Sequence, residues 1–122
     1  MMNQTDDRTR VRFGAAADAG PDDALLIEGS GPAEPDAPAA HPPAARFALP
    51  TRIASHALGC LCCTPRGPVS QALARLFLAR ARGELPWFRS IVAVTRSTAG
   101  ADAVRAALAS DSVTAARFRL DP

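Results

Sequence analysis

The stretch FRSIVAVT, residues 88–95, constrains the fold of this chain more than any other. It is a β-branched, mostly apolar run of strand length, the pattern of a strand buried on both faces. A helix of crossover length precedes it over 67–83, GPVSQALARLFLARARG. Parallel strands need such a crossover, so the strand is expected to be parallel. Within that helix Pro68 suits the first position, where a missing N–H is harmless. Val69, Leu73, Leu76 and Phe77 share one face, while Arg75, Arg80 and Arg82 lie mainly elsewhere. Arg80 and Arg82 suit the helix C-terminus through its dipole, and Gly83 is a natural stop.

The remaining segments complete an α/β order. RVRF, residues 10–13, reads as a short strand ended by Gly14, and DDALLIEG, 22–29, as a short helical or extended piece. RFALPTRIASHAL, 46–58, suits extended structure, with Pro50 restricting it to an edge or irregular strand. A second helix is expected over 99–110, with Val104 and Leu108 on one face. A third is expected over 111–120, behind Asp111 as N-cap. Between these pieces lies GSGPAEPDAPAAHPPAA, 29–45, dense in Pro, Gly and Ala. It holds too little apolar surface to offset its ordering entropy and reads as a flexible insertion. The expected organisation is a polar segment with a short strand or helix over 1–28, the insertion over 29–45, and an α/β core over 46–122.

With 122 residues the chain has room for about one domain. Its 48% hydrophobic content is largely Ala and only 5% of residues are aromatic, so a small core is expected. All 14 basic residues are Arg. The absence of Lys excludes Schiff-base chemistry and a P-loop of the GxxxxGK[ST] form. No aromatic residues interleave with the helical arginines, which favours solubilisation over nucleic-acid binding. Asp22, Asp23 and Glu28 read as a solvated turn. The polar start MMNQTDDRTRVRF has no signal-peptide core, and no long apolar run is present. A cytoplasmic location without a membrane or nucleic-acid partner is the expectation.

All three cysteines fall in HALGCLCCTPRG, residues 56–67. An odd count with two adjacent members disfavours a disulfide framework. Three readings remain open on spacing alone. Cys60, Cys62 and Cys63 are candidate thiolate ligands of one cation, with His56, an acidic side chain or water as the fourth. They also suit the role of small buried hydrophobes. Cys60 and Cys63 form a C-x-x-C pair, without the aromatic context of a redox motif. His41 reads as an exposed, inert residue of the insertion, and no catalytic triad is legible.

GCLCCTPRGPVSQAL resembles the GCxCCT-x-RGDL-x-x-AL segment of CobW-type P-loop GTPases, a family that includes metallochaperones. GELPWFRSIVAVTRSTAGADAVRAALASDSVTAARFRLD is similar in order to that family's strand, T-T-G-L-A-D-P turn and helix. VRFGAAADAGPDDALL resembles its N-E-F-G-E…D-x-x-L-L segment through Phe13 and Gly14. At positions acidic in the family stand Arg12, Ala15 and Val94, and Pro68 replaces the Asp of RGD. Thr95 matches the first Thr of the turn, while Arg96 and Ser97 stand for its second Thr and Gly, and Gly100 and Ala101 for its Asp-Pro.

The resemblance implies a partial P-loop-NTPase-like, three-layer half-domain with a parallel sheet, beginning after the family's P-loop. It implies a metal site of Cys60, Cys62, Cys63 and His56 for zinc or a similar divalent cation. No catalytic or nucleotide-binding residues are assigned, and neither GTP binding nor an enzymatic activity is expected. The implied partners are the metal ion and a metal-receiving apoprotein or a full-length CobW-like protein. Two alternatives accompany this reading: a non-functional fragment of such a GTPase, or a small interaction module docking a full-length relative through an exposed sheet edge.

Overall fold

The structure, a computed structural model, describes residues 7–29, 42–49 and 67–121. They form an α/β fold around one five-stranded sheet. In chain order the elements are β1 (Thr9–Phe13), β2 (Asp23–Glu28), β3 (Ala44–Phe47), α1 (Pro68–Ala81), β4 (Ser90–Val94), α2 (Thr98–Ser110), α3 (Ser112–Arg117) and β5 (Phe118–Leu120). A 3-10 turn at Ala16–Asp18 follows β1. The strand order is β3-β2-β4-β1-β5, and every pairing is parallel.

β4 lies at the centre, paired to β2 through Leu25↔Val92 and to β1 through Val11↔Ile91. Ser90, Ile91, Val92 and Ala93 are all buried, as expected of a parallel strand covered on both faces. β1 behaves differently. Thr9 and Val11 are buried, whereas Arg10 is exposed and Arg12 half-buried. Its two faces therefore meet different surroundings. On one face Val11, Leu26, Phe47, Ile91 and Phe118 join Val69, Leu73 and Leu76 of α1 and Val104 and Leu108 of α2 in the main core. The opposite face carries a smaller cluster of Leu25, Ala44 and Val92, with Ala19, Ile27 and Val94 against it.

Connection geometry explains this split. The routes β3 to β4 and β4 to β5 both run towards β5, while β1 to β2 runs the other way. Right-handed crossovers place oppositely directed connections on opposite faces of a sheet. α1, α2 and α3 accordingly share the main-core face, and the 3-10 turn after β1 contacts β4 from the other side. Among the described residues this is one sheet and one helical layer, not the three layers expected.

The ends of α1 follow their local chemistry. Gly67 is the N-cap and Pro68 begins the helix. At the other end Gly83 has φ 78, the left-handed region that glycine enters without steric cost. Its N–H donates to the Arg80 carbonyl at 3.1 Å, and the Glu84 N–H donates to that of Ala79 at 2.8 Å. These two bonds form a Schellman motif. α2 and α3 are each capped by a side chain, Ser97 accepting from the Gly100 N–H and Asp111 from those of Val113 and Thr114.

Several expectations are corrected. Residues 23–28 take the extended of the two expected forms, but Asp23, the first residue of that strand, is buried rather than part of a solvated turn. The third helix stops at Arg117, and Phe118–Leu120 form β5. Phe118, 1% exposed, contributes its ring to the main core while its backbone extends the sheet beside β1. Ala44 and Ala45, assigned to the flexible insertion, open β3 and are buried. Residues 30–41 of that insertion lie outside the described residues. Arg80 does not sit on a purely solvated face: it is half-buried, against the rings of Phe77, Trp87 and Phe88.

Asp23 anchors the second face. It accepts from Arg12 Nη2 at 2.9 Å and from the Gly20 N–H at 2.8 Å, and Ser90 Oγ donates to its other oxygen. Arg12 Nη1 also donates to Ser90 Oγ at 3.2 Å. Burial pushes the Asp23 carboxyl up, but the Arg12, Gly20 and Ser90 hydrogen bonds and the Arg12 charge outweigh it, leaving the group at about 2. A carboxyl lowered from 3.8 stabilises the fold above its unfolded value and ceases to do so as pH falls through its folded value. Acid titration should therefore remove about 2 kcal/mol of stability between pH 4 and pH 2. Asp23→Asn should lower stability near neutrality by a similar amount and flatten that acid limb, both read by urea melts at stepped pH. Gly83→Ala should cost about 1–2 kcal/mol in the same assay, from the left-handed backbone alone.

Candidate functional site

In open parallel sheets, ligand sites form outside the carboxyl ends of the strands, where neighbouring connections leave for opposite faces. Here that place lies between β1 and β4. β1 leads into the 3-10 turn on one face, and β4 leads into α2 on the other.

The amino end of α2 holds a carboxylate of this chain. Glu28 ends β2 and reaches across to the turn after β4. Its Oε1 accepts from the N–H groups of Arg96 at 2.5 Å and Ser97 at 3.0 Å, and its Oε2 from Ser97 Oγ at 2.7 Å. Ser97 Oγ in turn accepts from the Gly100 N–H at 2.9 Å. These bonds, the Arg96 N–H foremost, hold the Glu28 carboxyl below its ordinary value. A Cβ on Gly100 would overlap the carboxylate, so glycine permits the approach. On the first-connection side, Asp18 closes the 3-10 turn by accepting from the Ala15 N–H at 2.8 Å. The carboxyl edge thus presents a carboxylate and backbone donors already engaged with one another.

The sequence-derived ligands Cys60, Cys62, Cys63 and His56, like His41, lie outside the described residues. The residues flanking that segment are described. Phe47 closes β3 at the carboxyl edge, where its carbonyl accepts from the Gly29 N–H at 2.8 Å. At the far end of the segment, Gly67 caps α1 without a side-chain hydrogen bond. α1 then runs to the amino edge, where Arg80 Nη1 donates to Thr9 Oγ1 at 3.3 Å and to the Phe88 carbonyl at 2.9 Å. Beside the first turn of α1 a groove of about 380 Å³ opens between Pro68, Val69 and Ser70 and the α2 residues Ala103, Ala107 and Ser110. Among the described residues, no three His, Cys, Asp or Glu side chains are grouped to hold a metal ion. No helix among them is long and apolar enough to cross a membrane.

Sequence reasoning missed Glu28 and Asp23 as paired carboxylates, because their partners lie on other strands or in the turn after β4. Serine at 97, just before a helical run, was the one local signal for the capped end of α2. Gly100→Ala should destabilise the protein by about 1–3 kcal/mol through overpacking. That cost should largely vanish in a Glu28→Ala background, a coupling measurable by a double-mutant cycle of urea melts.

Compared with protein-family models, with curated proteins and with solved structures, this chain matches none.

Proposed function

We infer that this chain is a CobW-like metal-binding protein. It takes zinc or a related divalent cation through Cys60, Cys62 and Cys63, with His56 as the fourth donor, and does not hydrolyse GTP. The observation that carries the reading is the crowding of all three thiols into four positions, four residues after a histidine. Three thiolates and an imidazole are a donor set suited to a borderline cation of tetrahedral preference. The placement of the flanks supports the same reading. The segment leaves β3 at the carboxyl edge, where α/β sheets build their sites. It ends at a 14-residue helix whose N-cap offers no side-chain acceptor. The positive end of such a helix favours thiolate over thiol in nearby cysteines.

The lysine-free sequence has no P-loop cation, so nucleotide turnover has no place in this reading. The protein would then hold or pass on a cation, with a metal-receiving apoprotein or a full-length CobW-like protein as partner.

Purification under reducing conditions, followed by metal analysis, tests the proposal. One zinc per chain is expected, with loss of at least about nine-tenths of it in Cys60→Ser and Cys62→Ser, since removing a ligand costs a thiolate bond to the metal. His56→Ala should weaken zinc by about ten- to a hundredfold in a chelator competition. A protein with three free, reduced thiols and no affinity for added zinc would refute the reading.

A further inference from the structure

The amino edge of the sheet carries a second constellation, at the opposite end from Glu28 and the start of α2. A depression of about 390 Å³ is lined by Arg8, Arg10, Arg80, Arg89, Arg119 and Trp87, with Asp7 its sole acidic lining residue among those described. Arg10 and Arg119 are register partners on β1 and β5, so their side chains leave the sheet on the same face. Arg12, two residues on, has the Asp23 carboxylate against it. Arg10 and Arg89 are exposed and make no side-chain hydrogen bond or ion pair among the described residues. Two exposed guanidiniums, those of Arg10 and Arg89, are thus open to a ligand at this edge.

The aromatic wall is built. The Arg80 guanidinium sits 4.5 Å from the ring centroids of both Trp87 and Phe88. Its hydrogen bonds to Thr9 Oγ1 and the Phe88 carbonyl hold it there. One face of Trp87 is thereby covered, yet the residue remains 66% exposed, so its other face is open to solvent. A flat, open indole beside several guanidiniums matches a ligand with a planar ring and several negative charges. Arginine binds phosphate oxygens in bidentate fashion, and an aromatic face stacks a base with about 1–3 kcal/mol.

We propose that this amino-edge depression binds a nucleoside polyphosphate, its base stacked on the open face of Trp87 and its phosphates held by Arg10 and Arg89. The size suits a small molecule, since ligand pockets run from about 300 Å³ upwards. A single-stranded nucleic acid is disfavoured, because strand binding uses successive aromatic platforms. The chain has one Trp and no Tyr. The site shares no residue with the thiol segment, so it stands or falls independently of the metal reading.

Trp87 is the sole tryptophan, and its fluorescence reports on this site directly. ATP titrated into the full chain should quench it saturably, with half-effect below about 1 mM. Inorganic triphosphate should compete, shifting that midpoint upwards. Arg10→Gln and Arg89→Gln, both at exposed positions, should each weaken ATP about tenfold, the loss of one charge-assisted contact. Thermal melts should show both variants folded, with Arg10→Gln no less stable than the parent. Trp87→Leu, followed by calorimetry, should weaken ATP about tenfold and leave inorganic triphosphate unchanged. The proposal is overturned by no quenching at about 5 mM ATP. Quenching indifferent to both arginine substitutions also overturns it. So does an eight-nucleotide single strand that binds more than about tenfold tighter than ATP, which would make the face a strand-binding surface.

Discussion

Three neighbouring strands are tied together by one charged cluster on the face that carries no α-helix among the described residues. Arg12 of β1, Asp23 of β2 and Ser90 of β4 bond to one another across the centre of the sheet. Parallel strands have no hairpin turns to set their register. A slip by one residue would exchange the two faces of a strand. Here such a slip would carry Asp23 into the apolar side and Leu26 out of it. The cluster therefore penalises misregister where the small second-face core of Leu25, Ala44 and Val92 is too weak to do so alone. The carboxylate can serve this role because Arg12, Ser90 and the Gly20 N–H together satisfy it.

The main core depends on a few large residues set among many small ones. Ala24, Ala45, Ala72 and Ala93 belong to it, small residues that allow close approach but bury little area each. Phe47, Phe88 and Phe118 supply the bulk, one from each sheet edge and one from the approach to β4. Two of them sit where an element starts or ends. Phe118 is both the C-cap of α3 and the first residue of β5, so ending that helix and closing the sheet are one event.

How much of this was legible in the sequence follows from the range of each signal. β4, α1 and α2 announce themselves by local periodicity and caps, and the structure places them within two residues of expectation. β5 was hidden inside a helical pattern, since three residues are too few to display a period and their pairing partner lies more than a hundred residues upstream. Asp23 and Glu28 looked like surface acids because their partners come from other elements of the sheet. The burial of Arg80 was hidden in the same way, since its aromatic neighbours Trp87 and Phe88 follow the helix stop at Gly83. The thiols were legible as a cluster, but their surroundings lie outside the described residues.

The two ends of the sheet present opposite electrostatics to an anion. At the carboxyl edge, the donors at the amino end of α2 are engaged by Glu28, and that carboxylate repels a second negative group. In such sheets a phosphate would ordinarily gain most from this position. At the amino edge, among the described residues, five arginines and one carboxylate line the depression, with Arg10 and Arg89 exposed. Any negatively charged ligand is therefore directed away from the usual end of the fold and towards the opposite one. The carboxyl edge keeps a carboxylate in place, already satisfied by the donors of the turn after β4. The Glu28 carboxylate and the amino-edge arginines thus lie at opposite ends of one sheet, separated by the buried apolar centre of β4.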